Sequence, residues 1–421
     1  MIILKNILLD GSKVDIVVDG SRVKKILPAG TACVPPEGAE VMECEGKAAI
    51  PGFINMHTHA AMSMMLGIRE DVPFHDWLDG IWQIEEHLDE EFVYWSATAA
   101  CLEMIKSGTT TFNDQYWFAS AARDAAVEMG IRPVVSYVLM DKGDPEKAAR
   151  ERAHCERLYE ESRSWGDGAI FAVACHAVYS VSPEQFQWGA EFARKHGLNL
   201  HIHLSETEKE NRDCLASYGL TPTAFLDSLG VLDANVIAAH TLWLTEGDIG
   251  ILGRRKVCCV HNVNSNLKLT SGYRFPYNEL RDAGARLCIG TDGAASSNNL
   301  DMLEAMKTSA LLQKAFRKDP AALPLPELFA MATRNGAEAL GIDAGVLAEG
   351  KRADLSIVDM DNVYFLSPGE FLGNLVYSAH SDCIDSVIAG GRFVMRHRRV
   401  EGEKEILAAA RKKLYSMIST P

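Results

Sequence analysis

The chain has 421 residues, 47% of them hydrophobic and 24% charged, enough apolar material to bury the core of one large domain plus a small one. A formal net charge of −15 argues against nucleic acid or an anionic membrane as the main partner. The ten cysteines, with no Cys-x-x-Cys pair, read as buried free thiols, and the absence of a long apolar run or a signal-peptide pattern places the chain in the cytoplasm.

Residues 1–50 alternate in short β-like runs, such as Asp15-Ile16-Val17-Val18 and Val23-Lys24-Lys25-Ile26-Leu27, on either side of the turn pair Asp19-Gly20. From 51 to 350 the rhythm changes to strand and helix in alternation. Apolar runs at 48–55, 109–112, 132–138, 170–175, 200–202, 236–239, 257–260 and 286–290 give eight predicted strands. Between them, 90–106, 120–130, 145–159, 183–196 and 300–316 carry apolar residues at helical spacing, as right-handed crossovers between parallel strands require. Ser182-Pro183-Glu184 is a helix start and Gly197 its stop. Eight such units predict an α/β fold, a distorted (β/α)8 TIM barrel. The tail, 351–421, returns to short strands, among them Asp354-Leu355-Ser356-Ile357-Val358 and Arg392-Phe393-Val394-Met395, and ends in a helix from about 403 to 418. Both termini are predicted to pair into one small β-sandwich beside the barrel.

The chemistry begins at His57-Thr58-His59, which closes the first barrel run. Residues two apart on a strand face the same side, so both imidazoles can reach one metal ion. Later runs end at Asn113-Asp114, His176, His203, His240, His261 and Asp292, where a barrel enzyme builds its site. His201 and His203 share a strand face; either can ligate while the other fills the barrel. Glu206, three residues on, lies within reach of a bound water or a substrate nitrogen. Asp292, in Gly290-Thr291-Asp292-Gly293, can hold metal through one oxygen and take a proton from water with the other. Imidazoles with a carboxylate suit Zn2+, with Fe2+, Mn2+ or cobalt as alternatives. Such an ion brings the pKa of water from ~16 towards ~7, and hydrolytic attack on an electrophilic carbon is the natural reaction class.

These residues resemble the amidohydrolase superfamily, in particular its branch of 5'-methylthioadenosine/S-adenosylhomocysteine deaminases. The likeness spans the chain and rests on 51–59, Trp77-Leu78 with Ile81-Trp82, His203-Leu204-Ser205-Glu206-Thr207, Ala238-Ala239-His240, Ser265-Asn266-Leu267-Lys268-Leu269 and 290–296. It implies one metal, zinc by preference, held by His57, His59, His203 and Asp292. It further implies His240 orienting a metal-bound hydroxide, Asp292 accepting the water's proton, and Glu206 passing a proton to the ring nitrogen beside C6, with ammonia leaving. The two-metal members use a lysine on a central strand; here that strand ends Ala174-Cys175-His176, so one metal is expected. His176 is then a substrate contact.

The branch reads the ribose diol through a glutamate in Trp-Pro-x-Glu; here Trp82-Gln83-Ile84-Glu85 makes Glu85 the match, with Glu86 as the alternative register. An arginine expected on the third strand is aligned with Tyr137, and Met64-Met65-Leu66-Gly67 lacks another. Without these cations the reading leans to an uncharged adenine nucleoside or thioether over S-adenosylhomocysteine, unless Arg69, Lys147, Arg150 or Arg274 reaches the pocket. Adenosine, 5'-methylthioadenosine and 5'-deoxyadenosine remain open as substrates. The rivals are guanine-like, pterin-like or triazine rings on the same scaffold, and a non-catalytic scaffold, which is disfavoured because every ligand is retained. The partners expected are a small-molecule nucleoside and, optionally, further copies of the chain. His75, His87, His154, His196, His380 and His397 read as surface residues, His261 as pocket or structural, and Met56, Met62, Met64 and Met65 as pocket wall or core.

Overall fold

The computed structural model describes residues 1–31 and 35–418. In chain order, β1 (Ile2–Leu9), β2 (Ser12–Asp19), β3 (Arg22–Pro28), β4 (Glu40–Glu43) and β5 (Lys47–Pro51) come first. Eight strands interleaved largely with helices follow: β6 (Phe53–Thr58), β7 (Thr109–Tyr116), β8 (Arg132–Leu139), β9 (Ile170–Cys175), β10 (Asn199–Leu204), β11 (Asn235–His240), β12 (Cys258–His261) and β13 (Arg286–Ile289). β14 (Leu355–Asp359), β15 (Ile384–Ala389), β16 (Arg392–Met395) and the helix Glu403–Ile418 complete the chain.

Strands β6 to β13 pair in sequence order and all in parallel, giving the eight-stranded barrel expected. Every residue of β6, β7 and β10 is buried, as strands with a packed lumen inside and helices outside must be. The helices obey their end signals. Asp89 accepts from Phe92 N at the head of Glu90–Lys106. Ser182 accepts from Gln185 N at the head of Pro183–His196, and Gly197 ends that helix in the left-handed conformation at φ 65°.

The ring is distorted at one joint. Among the described residues no ladder pairs β13 with β6. Asn55 bridges the gap instead: its Nδ2 donates to Thr291 Oγ1 at 2.7 Å, its Oδ1 accepts from Thr291 N at 3.1 Å, and Asp292 N donates to His57 O at 2.9 Å. Gly290 allows this approach, since a Cβ there would lie 2.8 Å from His57 N. The seam therefore sets His57 beside Asp292, 235 positions apart in the chain.

The termini meet as expected, in one mixed sheet ordered β16-β15-β14-β5-β1-β2-β3 with β4 beside β1. It curls over a core of its own that holds Val23 of β3 and Ile388 of β15 together. Its two end turns touch: a Cβ on Gly391, at φ 76°, would lie 1.8 Å from Gly20 O. Gly391→Ala is expected to cost about 1–3 kcal/mol and lower the melting temperature. Gly390→Ala, at φ 55° with nothing within 4 Å, should cost only about 1 kcal/mol. Thermal denaturation of the two variants side by side checks the difference.

Two local expectations need correction. The run 48–55 is not one strand but two in different sheets. It divides at Gly52, where a Cβ would meet Thr110 Cγ2 at 2.3 Å and where the backbone N turns to Asp354 O. β7 does not stop at Asn113-Asp114 but continues to Tyr116, because the polar residues there find partners inside the protein: Asn113 Nδ2 donates to Met56 O and Asp114 Oδ1 accepts from Ala60 N. Residues 74–85, which hold the Trp77-Leu78 and Ile81-Trp82 pairs, form the helix Phe74–Glu85. The nine cysteines among the described residues are buried and free; Cys33 lies outside them. No helix among the described residues is long and apolar enough to cross a membrane.

Candidate active site

The C-terminal ends of β6, β10, β11 and β13 bring His57, His59, His203, His240 and Asp292 into two overlapping clusters whose ligand atoms lie within 4.8 Å of one another. His59 Nδ1 donates to Gln115 O at 2.6 Å and His203 Nδ1 to His176 O at 3.0 Å. A carbonyl can only accept, so each ring carries its proton on Nδ1 and presents an Nε2 lone pair. Those two lone pairs face each other at 3.3 Å. His57 Nε2, buried and without a hydrogen-bond partner, lies 3.4 Å from Asp292 Oδ1, and His59 Nε2 lies 3.3 Å from the same oxygen. Lone pairs converging in a buried space repel unless a cation stands between them. Donors about 2.0–2.1 Å from a tetrahedral Zn2+ are about 3.3–3.4 Å apart, so the set fits such an ion.

Asp292 divides its oxygens. Oδ1 faces the imidazoles and accepts Gly293 N at 2.7 Å; Oδ2 accepts the Ser265 hydroxyl at 2.6 Å. Burial works to raise its carboxyl, but His57, His240 and His59 outweigh that and hold it well below the usual carboxylate range. His240 is oriented from behind: Asn266 Nδ2 donates to its Nδ1 at 2.8 Å, leaving the proton on Nε2. That nitrogen lies 3.7 Å from Glu206 Oε2 and 3.9 Å from Asp292 Oδ2. Burial, with His57 and His59 adding to it, draws His240 down to about 3, so the ring stays neutral.

Glu206 is the opposite of Asp292. Burial and the neighbouring Asp292 and Glu210 carboxyls push it well above the ordinary range, which favours its protonated form. Glu210 holds it in place, accepting Ser205 N at 3.0 Å and Glu206 N at 2.8 Å, while Thr207 Oγ1 caps the following helix. Ser205, His240 and Asp292 have φ of 51°, 74° and 65°. Such backbone is costly for residues other than glycine, and here it falls on His240 and Asp292 and on the residue just before Glu206.

A narrow cleft of about 60 Å³ opens above this cluster, lined by apolar side chains with a few converging polar groups, as small-molecule sites are. One wall is the helix Phe74–Glu85, whose Phe74, Trp77, Leu78, Ile81 and Trp82 face the cleft. Glu85, at its last turn, accepts the Tyr116 hydroxyl at 2.7 Å, and burial raises its carboxyl to about 7 against the pull of Tyr116 and His59. His176 lines the other side, with Nδ1 on Ser180 Oγ at 2.7 Å; burial, then His59 and Lys142, lowers it to about 3.

Every residue predicted for the site therefore lies in or beside this cleft: His57, His59, His203, Asp292, His240, Glu206, Glu85 and His176. Of the open pairs, His203 faces the cleft and His201 lies in the barrel below it, while Glu85 lines the cleft and Glu86 is exposed. Met62 lines the cleft; Met56, Met64 and Met65 are core. His261 packs on Phe275 with Nδ1 on Ser309 Oγ, a structural placement. Tyr137 must be corrected: it packs on His154 outside the barrel, and Val138, one residue on and so on the opposite face, lines the cleft. Arg69, Lys147, Arg150 and Arg274 do not line it; they pair respectively with Asp76 O, Glu151, Glu146 and the Tyr273 ring. A cation not foreseen, Lys142, lies over the Trp82 ring at 4.2 Å. Tyr116 and Glu210 were also missed, while Ser265 and Asn266 stood in a family motif without an assigned role. Of the two missed residues, Glu210 had a readable signal, the Thr-x-x-Glu spacing of a capping box ahead of a helix.

A model of the amidohydrolase family matches residues 48–394. The chain is 45% identical over 376 residues to a 5'-deoxyadenosine deaminase of Methanoregula boonei, covering 89% of this chain and 85% of that protein. It is 40% identical over 413 residues to a 5-methylthioadenosine/S-adenosylhomocysteine deaminase of Pelotomaculum thermopropionicum, covering 96% and 94%. The crystal structure of an adenosine deaminase from Xanthomonas campestris with bound zinc superposes with a TM-score of 0.92 at 31% identity, covering 100% of this chain and 98% of that one.

Proposed function

The chain belongs to the amidohydrolase family, and from that membership we propose that it is a zinc-dependent hydrolase that deaminates an adenine-type nucleoside. One observation carries this reading: Nε2 of three imidazoles and one carboxylate oxygen converge, beside a carboxyl that burial and its charged neighbours push well above the ordinary range. The proposed ligands are His57, His59, His203 and Asp292, with Fe2+ or Mn2+ as alternatives. When bound, the ion lowers the pKa of a water to about 7 and so supplies the nucleophile.

The protein's own groups do the rest. His240 Nε2–H donates to the attacking water and aims it. Asp292 takes a proton from that water, and Glu206 donates one to the ring nitrogen adjacent to C6, which makes that carbon electrophilic. Addition gives a tetrahedral carbon bearing a hydroxyl and an amino group; as the C–N bond breaks and ammonia departs, Asp292 passes its proton to the leaving nitrogen and the hydroxyl's proton goes to Glu206, which restores both carboxyls. Water is consumed and the amino-substituted ring becomes an oxo ring.

Glu85 and His176 are the proposed ribose and substrate contacts. A carboxylate accepts both hydroxyls of a diol, and the protonated acid does not. With its carboxyl raised to about 7, Glu85 is ionised above that pH and progressively protonated below it. KM for a ribonucleoside is therefore expected to rise about tenfold between pH 7.5 and 6. Glu85→Gln should raise KM by about tenfold to a hundredfold, the ~1.5–3 kcal/mol of a charged hydrogen bond, and flatten that slope. KM measured across pH for both proteins checks it.

The apolar wall from Phe74 to Trp82 and Val138 supports a substrate with an uncharged 5' end, such as 5'-deoxyadenosine or 5'-methylthioadenosine. The remaining reading places residues 51–350 as the catalytic unit, the location in the cytoplasm, where free thiols persist, and the nucleoside as partner; a homo-oligomer is compatible with it. The test is ammonia release by zinc-loaded protein on adenosine, 5'-deoxyadenosine, 5'-methylthioadenosine, S-adenosylhomocysteine, guanine and a pterin. Turnover of the adenine nucleosides, fastest for those without a 5' charge, is expected. Turnover confined to guanine or the pterin overturns the nucleoside assignment.

A further inference from the structure

The three imidazoles that turn Nε2 towards the cluster are held at Nδ1 in two different ways. His59 and His203 meet backbone carbonyls. His57 Nδ1 meets another imidazole, His201 Nε2, at 2.9 Å. His201 and His203 occupy alternate positions on β10 and so share its inward face, His203 at the cluster and His201 one layer deeper. His201 is fully buried, at 0% exposure, and packs edge-on against His57 with ring centroids 4.9 Å apart.

A carbonyl leaves its partner no choice of tautomer, but an imidazole does. If His201 donates from Nε2, His57 must accept at Nδ1 and carry its own proton on Nε2, pointing at Asp292 and the other two lone pairs. If His201 instead accepts at Nε2, His57 donates from Nδ1 and its Nε2 is free to ligate. Only the second arrangement is compatible with a cation in the cluster, and it puts the proton of His201 on Nδ1. We propose that His201 is a positioning residue for the metal ion, the acceptor that fixes His57 in its ligating tautomer. The proposal rests on the reading of this cluster as a metal centre. Among the described residues no other group is hydrogen-bonded to His57 Nδ1. Partners of ligating imidazoles commonly govern metal affinity by about 10–100-fold.

The experiment compares wild type with His201→Phe, which keeps a ring and removes the acceptor, and His201→Gln, which restores an acceptor oxygen. Zinc affinity is read by competition with a chromogenic chelator, and ligand geometry by the visible absorption of the Co2+ form. Circular dichroism of the metal-free proteins reports folding. His201→Phe is expected to lose about 10–100-fold in affinity and to change the cobalt spectrum, and His201→Gln to recover most of both. A folded His201→Phe with wild-type affinity and spectrum overturns the proposal, as does an equal loss in both variants, which would mean packing rather than acceptance. If His201→Phe does not fold, long-range 1H–15N correlation on histidine-labelled wild-type zinc protein decides: His201 protonated on Nδ1 supports the proposal and on Nε2 overturns it. Wild type that binds no zinc at all would instead remove the metal centre itself.

Discussion

Asp292→Asn is expected to lower kcat by about 10⁴-fold, the upper end of what general acid–base groups contribute (about 10²–10⁴), while the protein remains folded. The local geometry makes the variant clean. Asp292 sits at φ 65°, a conformation asparagine adopts more readily than most residues, so the backbone need not move. Gly293 N donates to Oδ1, which keeps an oxygen on that side; the new NH2 then takes the Oδ2 place, where the Ser265 hydroxyl can rotate to accept from it. Two things are lost, the negative charge between three imidazoles and the oxygen proposed to take the water's proton. Zinc content and kcat measured on the same samples separate them: activity should fall much further than occupancy. A zinc-loaded variant retaining more than a tenth of wild-type activity would remove Asp292 from proton transfer.

Glu206→Gln should reduce kcat by about 10³-fold and change KM little. Burial and the Asp292 and Glu210 charges favour the neutral form of Glu206; glutamine reproduces that form's hydrogen bonding but cannot part with a proton. The backbone N–H of residue 206 still meets Glu210, so the turn survives. The pH profile carries the sign. A carboxyl with a raised pKa is active as an acid below that pKa and is lost as pH climbs through it, so wild-type kcat should fall on the alkaline side. Residual activity of the glutamine variant should lack that limb. A limb of unchanged position in the variant would assign it to another group.

What the residue order made legible is what depends on spacing. His57 and His59 two apart, and His203, His240 and Asp292 each just past an apolar run, locate a metal cluster at one end of a barrel because alternate residues share a strand face. What it hid depends on who is buried against whom. Phe74, Trp77, Leu78, Ile81 and Trp82 have helical spacing, but the same apolar side both packs on the core and walls the cleft, and spacing does not tell the two apart. Tyr137 and Val138 differ by one position, which on a strand exchanges the outside of the barrel for its mouth. Tyr116 lies beyond a polar stretch that conceals the length of β7. Asn266, Ser265, Glu210 and His201 act through other side chains, and only the fold shows which ones.

The seam between β6 and β13 gives the ion a mechanical part. A barrel whose first and last strands share no ladder is a clasped ring, and the groups flanking the clasp are His57 and His59 on one side and Asp292 on the other. An ion held by both sides ties positions more than 230 residues apart, a long loop whose closure entropy it would share with folding. Loaded and metal-free protein would then differ in heat tolerance as well as in turnover. In a chain whose described thiols are all unpaired, that coordinate link takes the place a disulfide holds in secreted proteins, with the difference that a chelator rather than a reductant undoes it.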